Sequence, residues 1–142
     1  RLIDEMAKLQ QQTFVCAPSV MQHAVVGAYD IDLEPLIQRF AARRDMVIDI
    51  LGEVMEIVIP EGAFYAFLRI DPAWRPPGST GAPESLSWAL VEYLIKEGRI
   101  GCVPGADFGT HGEGYIRLCF AKTRDELTGA LASMKALLDV RA

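Results

Sequence analysis

Residues 54–70 of the chain read VMEIVIPEGAFYAFLRI, and this stretch decides the fold class. Two runs of apolar and β-branched residues, 54–59 and 63–70, flank Pro60, Glu61 and Gly62. Two strand-like runs separated by three residues that include a glycine are typical of a β-hairpin. The sequence therefore predicts an antiparallel pair of strands at this point, which excludes an all-helical fold.

Helical patterns precede the hairpin. Apolar residues recur at helical spacing over residues 2–12, 20–29 and 32–51. We expect the side chain of Ser19 to cap the second helix, since serine favours the position just before a helix. Gly52 is expected to end the third helix, because glycine is the commonest residue just beyond a helix C-terminus.

The residues after the hairpin complete a mixed pattern. A loop rich in proline and glycine (71–83) is followed by a predicted helix (86–98) and a short strand (99–103). A glycine-rich loop then leads to a strand (115–121). The last helix begins with a Thr123–Glu126 capping box. The order α-α-α-β-β-α-β-β-α lacks the alternation of a doubly wound sheet. We predict an α+β fold, in which N-terminal helices are followed by a small mixed or antiparallel sheet of about four strands packed with helices.

Composition narrows the function classes. The chain has 142 residues, a formal net charge of −5 and 51% hydrophobic residues, enough for one domain with a real core. Scattered basic residues in an acidic chain argue against a nucleic-acid partner. No apolar run approaches the length that spans a bilayer, so we expect no membrane partner. Three widely spaced cysteines fit a reducing compartment, and we expect the protein to be cytoplasmic.

Familiar chemical motifs find little support in the residues. The glycine-rich stretch 101–114 lacks the Gly-Lys-Ser/Thr of a phosphate loop and precedes a strand, so we interpret it as a tight loop. His23 and His111 have no nearby second ligand, and we expect no metal site. No nucleophile completes a triad with Asp107 and His111. We expect Cys119 to be a small residue of the core.

Arg117 is the unusual residue. Alternation along residues 115–120 (YIRLCF) places Arg117 on the strand face opposite to Ile116 and Leu118. An arginine within an apolar strand is costly to bury unless it meets an anion, and its planar guanidinium matches a carboxylate. From periodicity alone, an arginine on the solvent face of a half-exposed sheet is the other interpretation.

Four stretches together resemble a known family. They are Arg43-Arg44-Asp45, residues 60–65 (PEGAFY), residues 103–109 (VPGADFG) and residues 115–121 (YIRLCFA). In this order and spacing they are similar to the C-terminal part, the small domain, of class I/II aminotransferases, the pyridoxal-phosphate enzymes of the aspartate aminotransferase fold (fold type I). The resemblance covers essentially the whole chain.

The resemblance implies specific roles. The arginine that matches Arg117 binds the α-carboxylate of the amino-acid substrate in that family. The segment from Gln12 and Thr13 to Ser19 is similar to a stretch near the active site and dimer interface, so Gln12 and Thr13 are expected as weaker candidates for substrate recognition. The implied cofactor is pyridoxal 5′-phosphate, the substrates are an amino acid and a 2-oxo acid, and the implied assembly is a homodimer.

This sequence departs from the family pattern in its lysines, and the departure limits the activity expected of the chain. None of the four lysines has the Ser-x-x-Lys-like setting of the family's catalytic lysine. We therefore expect no catalytic residue and no cofactor-binding residue in this chain, and no activity from it alone. Residues 1–30 are expected to be a helical segment that links from a large domain outside the chain, and residues 31–142 to be the C-terminal small domain.

Rival functions stay open. A relative with the same fold that splits C–S bonds has the same pattern in this region. An aminotransferase-like effector domain of a transcription regulator is another candidate. A third is a free-standing α+β interaction module with no active site.

Overall fold

The computed structural model describes residues 1–139. Its elements follow in the order α1 (Leu2–Thr13), α2 (Ser19–Ala28), α3 (Glu34–Leu51), β1 (Glu56–Val58), β2 (Tyr65–Arg69), α4 (Leu86–Gly98), β3 (Val103–Pro104), β4 (Tyr115–Cys119) and α5 (Arg124–Leu138). Two short 3-10 helices, Gly105–Phe108 and Thr110–Gly112, lie between β3 and β4. The predicted α+β class and element order are confirmed.

The chain divides into two compact units, Arg1–Pro35 and the part that begins at Leu36. The predicted small domain, 31–142, ends in residues 140–142, which lie outside the described residues. Within residues 1–139, no helix is both long and apolar enough to cross a membrane.

The first unit contains α1 and α2, and neither helix has a buried residue. The prediction that Ser19 caps α2 is wrong. Pro18 occupies the cap position in an extended conformation (φ −55°, ψ 138°), and its carbonyl accepts hydrogen bonds from the N–H groups of Met21 and Gln22. Ser19 is therefore already the first helical residue.

The sheet belongs to the second unit. Its strand order is β1-β2-β4-β3, and every neighbouring pair is antiparallel. In the central pair, Phe67 of β2 lies opposite Arg117 of β4. The predicted strand 99–103 is shorter than expected, because Arg99 adopts a left-handed conformation (φ 53°) that ends α4. Pairing of β3 with β4 begins only at Val103.

The core lies on one face of this sheet. Alternate residues of β2 and β4 are buried together with apolar residues of the three helices in this unit, among them Val47, Leu51, Ala66, Leu68, Leu90, Leu94, Ile116, Leu118, Leu127, Leu131 and Met134. The expectation that Cys119 belongs to the core is wrong. It is exposed on the opposite face of β4, because alternation along the strand places Cys119 on the same face as Arg117.

Candidate functional site

The outer face of the sheet carries the candidate site. Side chains that alternate with the core residues come from β2 and β4, the two central strands. They are Tyr65, Phe67, Arg69, Tyr115, Arg117 and Cys119. None of them belongs to the buried core. This face therefore combines aromatic rings with two arginines, and the two arginines differ in their surroundings.

Arg117 lies in the middle of β4 and contacts two aromatic rings. Its guanidinium carbon is 4.3 Å from the ring centroid of Tyr65 and 4.4 Å from that of Phe108. Its Nε atom is buried and has no hydrogen-bond partner within the described part of the chain. Among residues 1–139, no carboxylate forms an ion pair with Arg117.

Arg69 lies on the same face, and its guanidinium pairs with a carboxylate of the neighbouring strand. Its Nη1 atom donates to Glu56 Oε2 at 2.9 Å, across the β1–β2 pair. Arg117 has the same chemistry but no such partner among the residues that the structure describes. A partly desolvated cation is stabilised when an anion pairs with it, and a guanidinium binds a carboxylate through two parallel hydrogen bonds. The geometry around Arg117 therefore fits a binding site for a carboxylate.

The two rings reach Arg117 from both sides of β4. Tyr65 begins β2, on one side of β4 in the sheet. Phe108 ends the first 3-10 helix, which follows β3 on the other side. Phe67 lies opposite Arg117, with its ring centroid 5.8 Å from that of Phe108 in an edge-to-face arrangement. Rings from two separate parts of the sequence thus contact the guanidinium that β4 carries.

A close backbone approach places Phe108. A Cβ atom on Gly105 would overlap the carbonyl oxygen of Gly112, and a Cβ atom on Gly112 would overlap that of Gly105. Both glycines are buried, and Phe108 lies between them in sequence. The glycine-rich stretch is therefore an ordered loop that turns back on itself, as predicted, and its glycines serve packing.

Glu113 ties this loop to the start of α4. Its carboxylate accepts hydrogen bonds from the Ser85 hydroxyl (2.8 Å) and from the backbone N–H groups of Leu86 (2.8 Å) and Ser87 (3.2 Å). Partial burial acts to raise the pKa of Glu113, but these hydrogen bonds outweigh it, and the pKa is lowered. Buried Ser87 completes the connection, since its hydroxyl accepts from the Gly114 N–H at 2.9 Å. A carboxylate at a helix N-terminus is stabilising in its charged form.

The other predicted site residues lie in the first unit. Gln12 and Thr13 are at the C-terminal end of α1, and both are exposed. The Thr13 hydroxyl donates to the carbonyl oxygens of Leu9 (3.0 Å) and Gln10 (3.2 Å), which is a local helix contact. Their role in substrate recognition stays a prediction.

Three of the four lysines of the chain form ion pairs. Lys8, Lys96 and Lys135 pair with Glu5, Glu92 and Glu53. The pKa of Glu126 is lowered mainly by its hydrogen bonds with Thr123, and the charge of Lys122 adds a smaller contribution. No group of three or more His, Cys, Asp or Glu side chains within residues 1–139 is arranged to hold a metal ion. Pyridoxal phosphate needs a lysine beside a phosphate-binding cradle, and the surroundings of the lysines within residues 1–139 do not fit that group.

Sequence reasoning singled out Arg117 but missed Tyr65 and Phe108 as its contacts. The signal was present in the motifs, since residues 60–65, 103–109 and 115–121 each supply one of the three side chains. The fourth motif lies on α3, where the Arg43 guanidinium is 5.3 Å from the ring centroid of Phe40. A chain of ring contacts joins Phe40 through Phe64 to Tyr65.

Known proteins with the same sequence pattern and fold are aminotransferases. Aromatic-amino-acid aminotransferase 2 of Thermococcus litoralis is 30% identical over 143 residues, which is 96% of this chain and 34% of that protein. The aspartate aminotransferase of Thermotoga maritima is 29% identical over 137 residues, 96% of this chain and 32% of that protein. The crystal structure of an aromatic aminotransferase from Pyrococcus horikoshii superimposes with a TM-score of 0.78 and 32% identity, over 96% of this chain and 35% of that one.

The chain corresponds to the C-terminal part of an aspartate aminotransferase-like protein. It spans about a third of the length of the relatives that it matches. No family model matches the chain. In this aminotransferase-like chain, Arg117 lies on the central strand pair of the small-domain fold, where three of the four motifs meet.

Proposed function

We propose that the protein containing this chain is a pyridoxal-phosphate-dependent aminotransferase that transfers an amino group from an amino acid to a 2-oxo acid. In this proposal Arg117 binds the α-carboxylate of the substrate. The observation that carries it is the unpaired guanidinium of Arg117, held on two rings with a buried, unbonded Nε. The similarity to named aminotransferases supports the reaction class.

The division of labour follows from what this chain contains. Pyridoxal phosphate, bound by the rest of the protein, supplies the electron sink for chemistry at the substrate's α-carbon. Arg117 supplies charge and orientation: a guanidinium that grips both carboxylate oxygens restricts rotation of the substrate. Since amino-acid and 2-oxo-acid substrates both carry this carboxylate, one arginine serves both halves of the exchange.

The first unit is assigned to contacts outside this chain. We infer that residues 1–30 link to a large domain and that residues 31–142 form the small domain of a homodimeric, cytoplasmic enzyme. The apolar side chains of α1 and α2 support this inference, because Leu2, Ile3, Met6, Leu9 and Val20 are all more than half exposed. Apolar patches of this kind mark surfaces that another part of an assembly covers. In this proposal Gln12 and Thr13 contribute to substrate recognition.

Amino-acid half-reactions test the proposed activity. The full-length protein is loaded with pyridoxal phosphate, each common amino acid is added in turn, and the cofactor's absorbance and the oxo acid formed are measured. A donor that converts the absorbance band with one equivalent of its 2-oxo acid is the expected result. Release of ammonia with a thiol would indicate the C–S lyase instead. A cofactor band that no amino acid converts would contradict the proposal and favour the regulator.

A further inference from the structure

The aromatic contacts of Arg117 have a consequence for ligand binding. An arginine side chain has many rotamers, and ordering one on binding lowers affinity. Here the guanidinium already rests on the rings of Tyr65 and Phe108, at 4.3 Å and 4.4 Å from their centroids. Cation–π contacts at this distance are attractive and are stronger when the cation is partly desolvated.

The burial of the individual nitrogen atoms of Arg117 shows which edge of its guanidinium is accessible. The Nε atom is buried without a partner, whereas neither Nη atom is both buried and unbonded. Arg117 forms no hydrogen bond with residues 1–139, so its two Nη atoms reach the surface. A carboxylate that approaches this face meets the Nη edge first.

We propose that Tyr65 and Phe108 are positioning residues for the carboxylate site, which hold the guanidinium of Arg117 ready to bind an incoming carboxylate end-on through its two Nη atoms. This inference rests on the proposed function of Arg117 and adds the two residues that fix the position of its guanidinium. The two rings act through Arg117, and the proposal assigns them no contact with the substrate.

Each ring is itself supported. Phe64 lies against Tyr65 with ring centroids 4.5 Å apart, and Phe67 lies against Phe108 at 5.8 Å. The hairpin supplies Tyr65, and the crossing of Gly105 and Gly112 supplies the turn that carries Phe108. Both rings remain partly exposed, Tyr65 by 37% and Phe108 by 50%. Neither ring is part of the core, so its removal leaves the sheet intact.

Leucine substitutions in the full-length, cofactor-loaded protein test the inference. The ligands are the best donor amino acid and the amine that lacks its carboxyl group. Tyr65→Leu and Phe108→Leu are each expected to lower kcat/KM for the amino acid by roughly 3- to 30-fold, as the loss of one cation–π contact implies. The value for the amine is expected to stay unchanged. The amino acid/amine ratio is kcat/KM for the amino acid divided by kcat/KM for the amine. Tyr65→Phe and Phe108→Tyr keep an aromatic ring, and both are expected to retain the wild-type ratio.

Two further measurements separate positioning from general structural damage. Calorimetric titration with the carboxylic acid that matches the donor but lacks its amino group is expected to show the same loss of affinity without any turnover. Trp74→Leu removes a ring that packs against the core and contacts the ring of Tyr93, so it perturbs the fold without touching either positioning ring. It should leave the amino acid/amine ratio at the wild-type value, and an equal change of the ratio in Trp74→Leu would overturn the inference.

A double-mutant cycle distinguishes this inference from the proposed function. Arg117→Met alone must lower the amino acid/amine ratio, and if it does not, the carboxylate role of Arg117 is wrong. If Arg117→Met lowers the ratio but neither leucine variant does, only the positioning role is wrong. The expected result is that Tyr65→Leu has no further effect on the ratio in the Arg117→Met background.

Discussion

Gly105 and Gly112 lie so close together that neither has room for a Cβ atom, because each would meet the other's carbonyl oxygen. The loop between them carries Phe108, whose ring contacts the guanidinium of Arg117. A contact between two backbone segments thus fixes one wall of the candidate site.

Substitution of Gly112 tests this relationship. Gly112→Ala is expected to lower the free energy of unfolding by about 2–3 kcal/mol, since the added methyl group forces two backbone segments apart. Gly129→Ala is the matched control: Gly129 lies in α5, where a Cβ atom would meet open space, and alanine there is expected to stabilise the protein by about 0.5–1 kcal/mol. Denaturant unfolding of both variants measures the difference. Equal effects of the same sign would show that the crossing is not tight.

Glu113 makes the stability of this region depend on pH. Its pKa is lowered in the folded protein by hydrogen bonds that outweigh partial burial, from an ordinary value of 4.5. A group with a lowered pKa contributes stability above its unfolded value, and that stability is lost as the pH falls through the folded value. Glu113→Gln is therefore expected to reduce stability at neutral pH and to flatten the loss of stability below pH 4.5.

Unfolding midpoints measured across the acid range check this prediction. Glu92→Gln is the control, because Glu92 pairs with Lys96 on the surface of α4. That variant should retain the wild-type acid dependence. An acid profile of Glu113→Gln that matches the wild type would contradict the role assigned to the carboxylate.

Cys102 is expected to resist alkylation in the folded protein. Burial raises the pKa of its thiol to about 11, so very little thiolate forms at mildly alkaline pH. Peptide mapping after brief iodoacetamide treatment should find Cys102 unmodified in the native protein and modified after denaturation. Equal labelling in both states would show that the thiol is accessible.

Local patterns in the sequence predicted most of the fold. The hairpin, the capping box of α5 and the alternation of β4 depend on neighbouring residues, and all three were confirmed. The predicted start of α2 was wrong by one residue, because the side-chain preference favoured Ser19, whereas the extended backbone of Pro18 already places its carbonyl at the first turn. The length of β3 depended on the left-handed Arg99, which no local pattern indicated.

The site was predictable only in part. Alternation along residues 115–120 marked Arg117 as unusual, since an arginine within an apolar strand needs an explanation. Its contacts with Tyr65 and Phe108 join residues 52 and 9 positions away in the sequence, and they arise from strand order and loop path. Those long-range features are set by tertiary packing, and periodicity within one strand carries no information about them.

Replacement of Arg117 by lysine is the most direct test of the central claim. In the full-length, cofactor-loaded enzyme, Arg117→Lys is expected to lower kcat/KM for the best donor amino acid by on the order of 10²-fold or more, because lysine cannot form the two parallel hydrogen bonds. Arg69→Lys is the control, since Arg69 lies on the same sheet face but pairs with Glu56. Wild-type kinetics in Arg117→Lys would contradict the account.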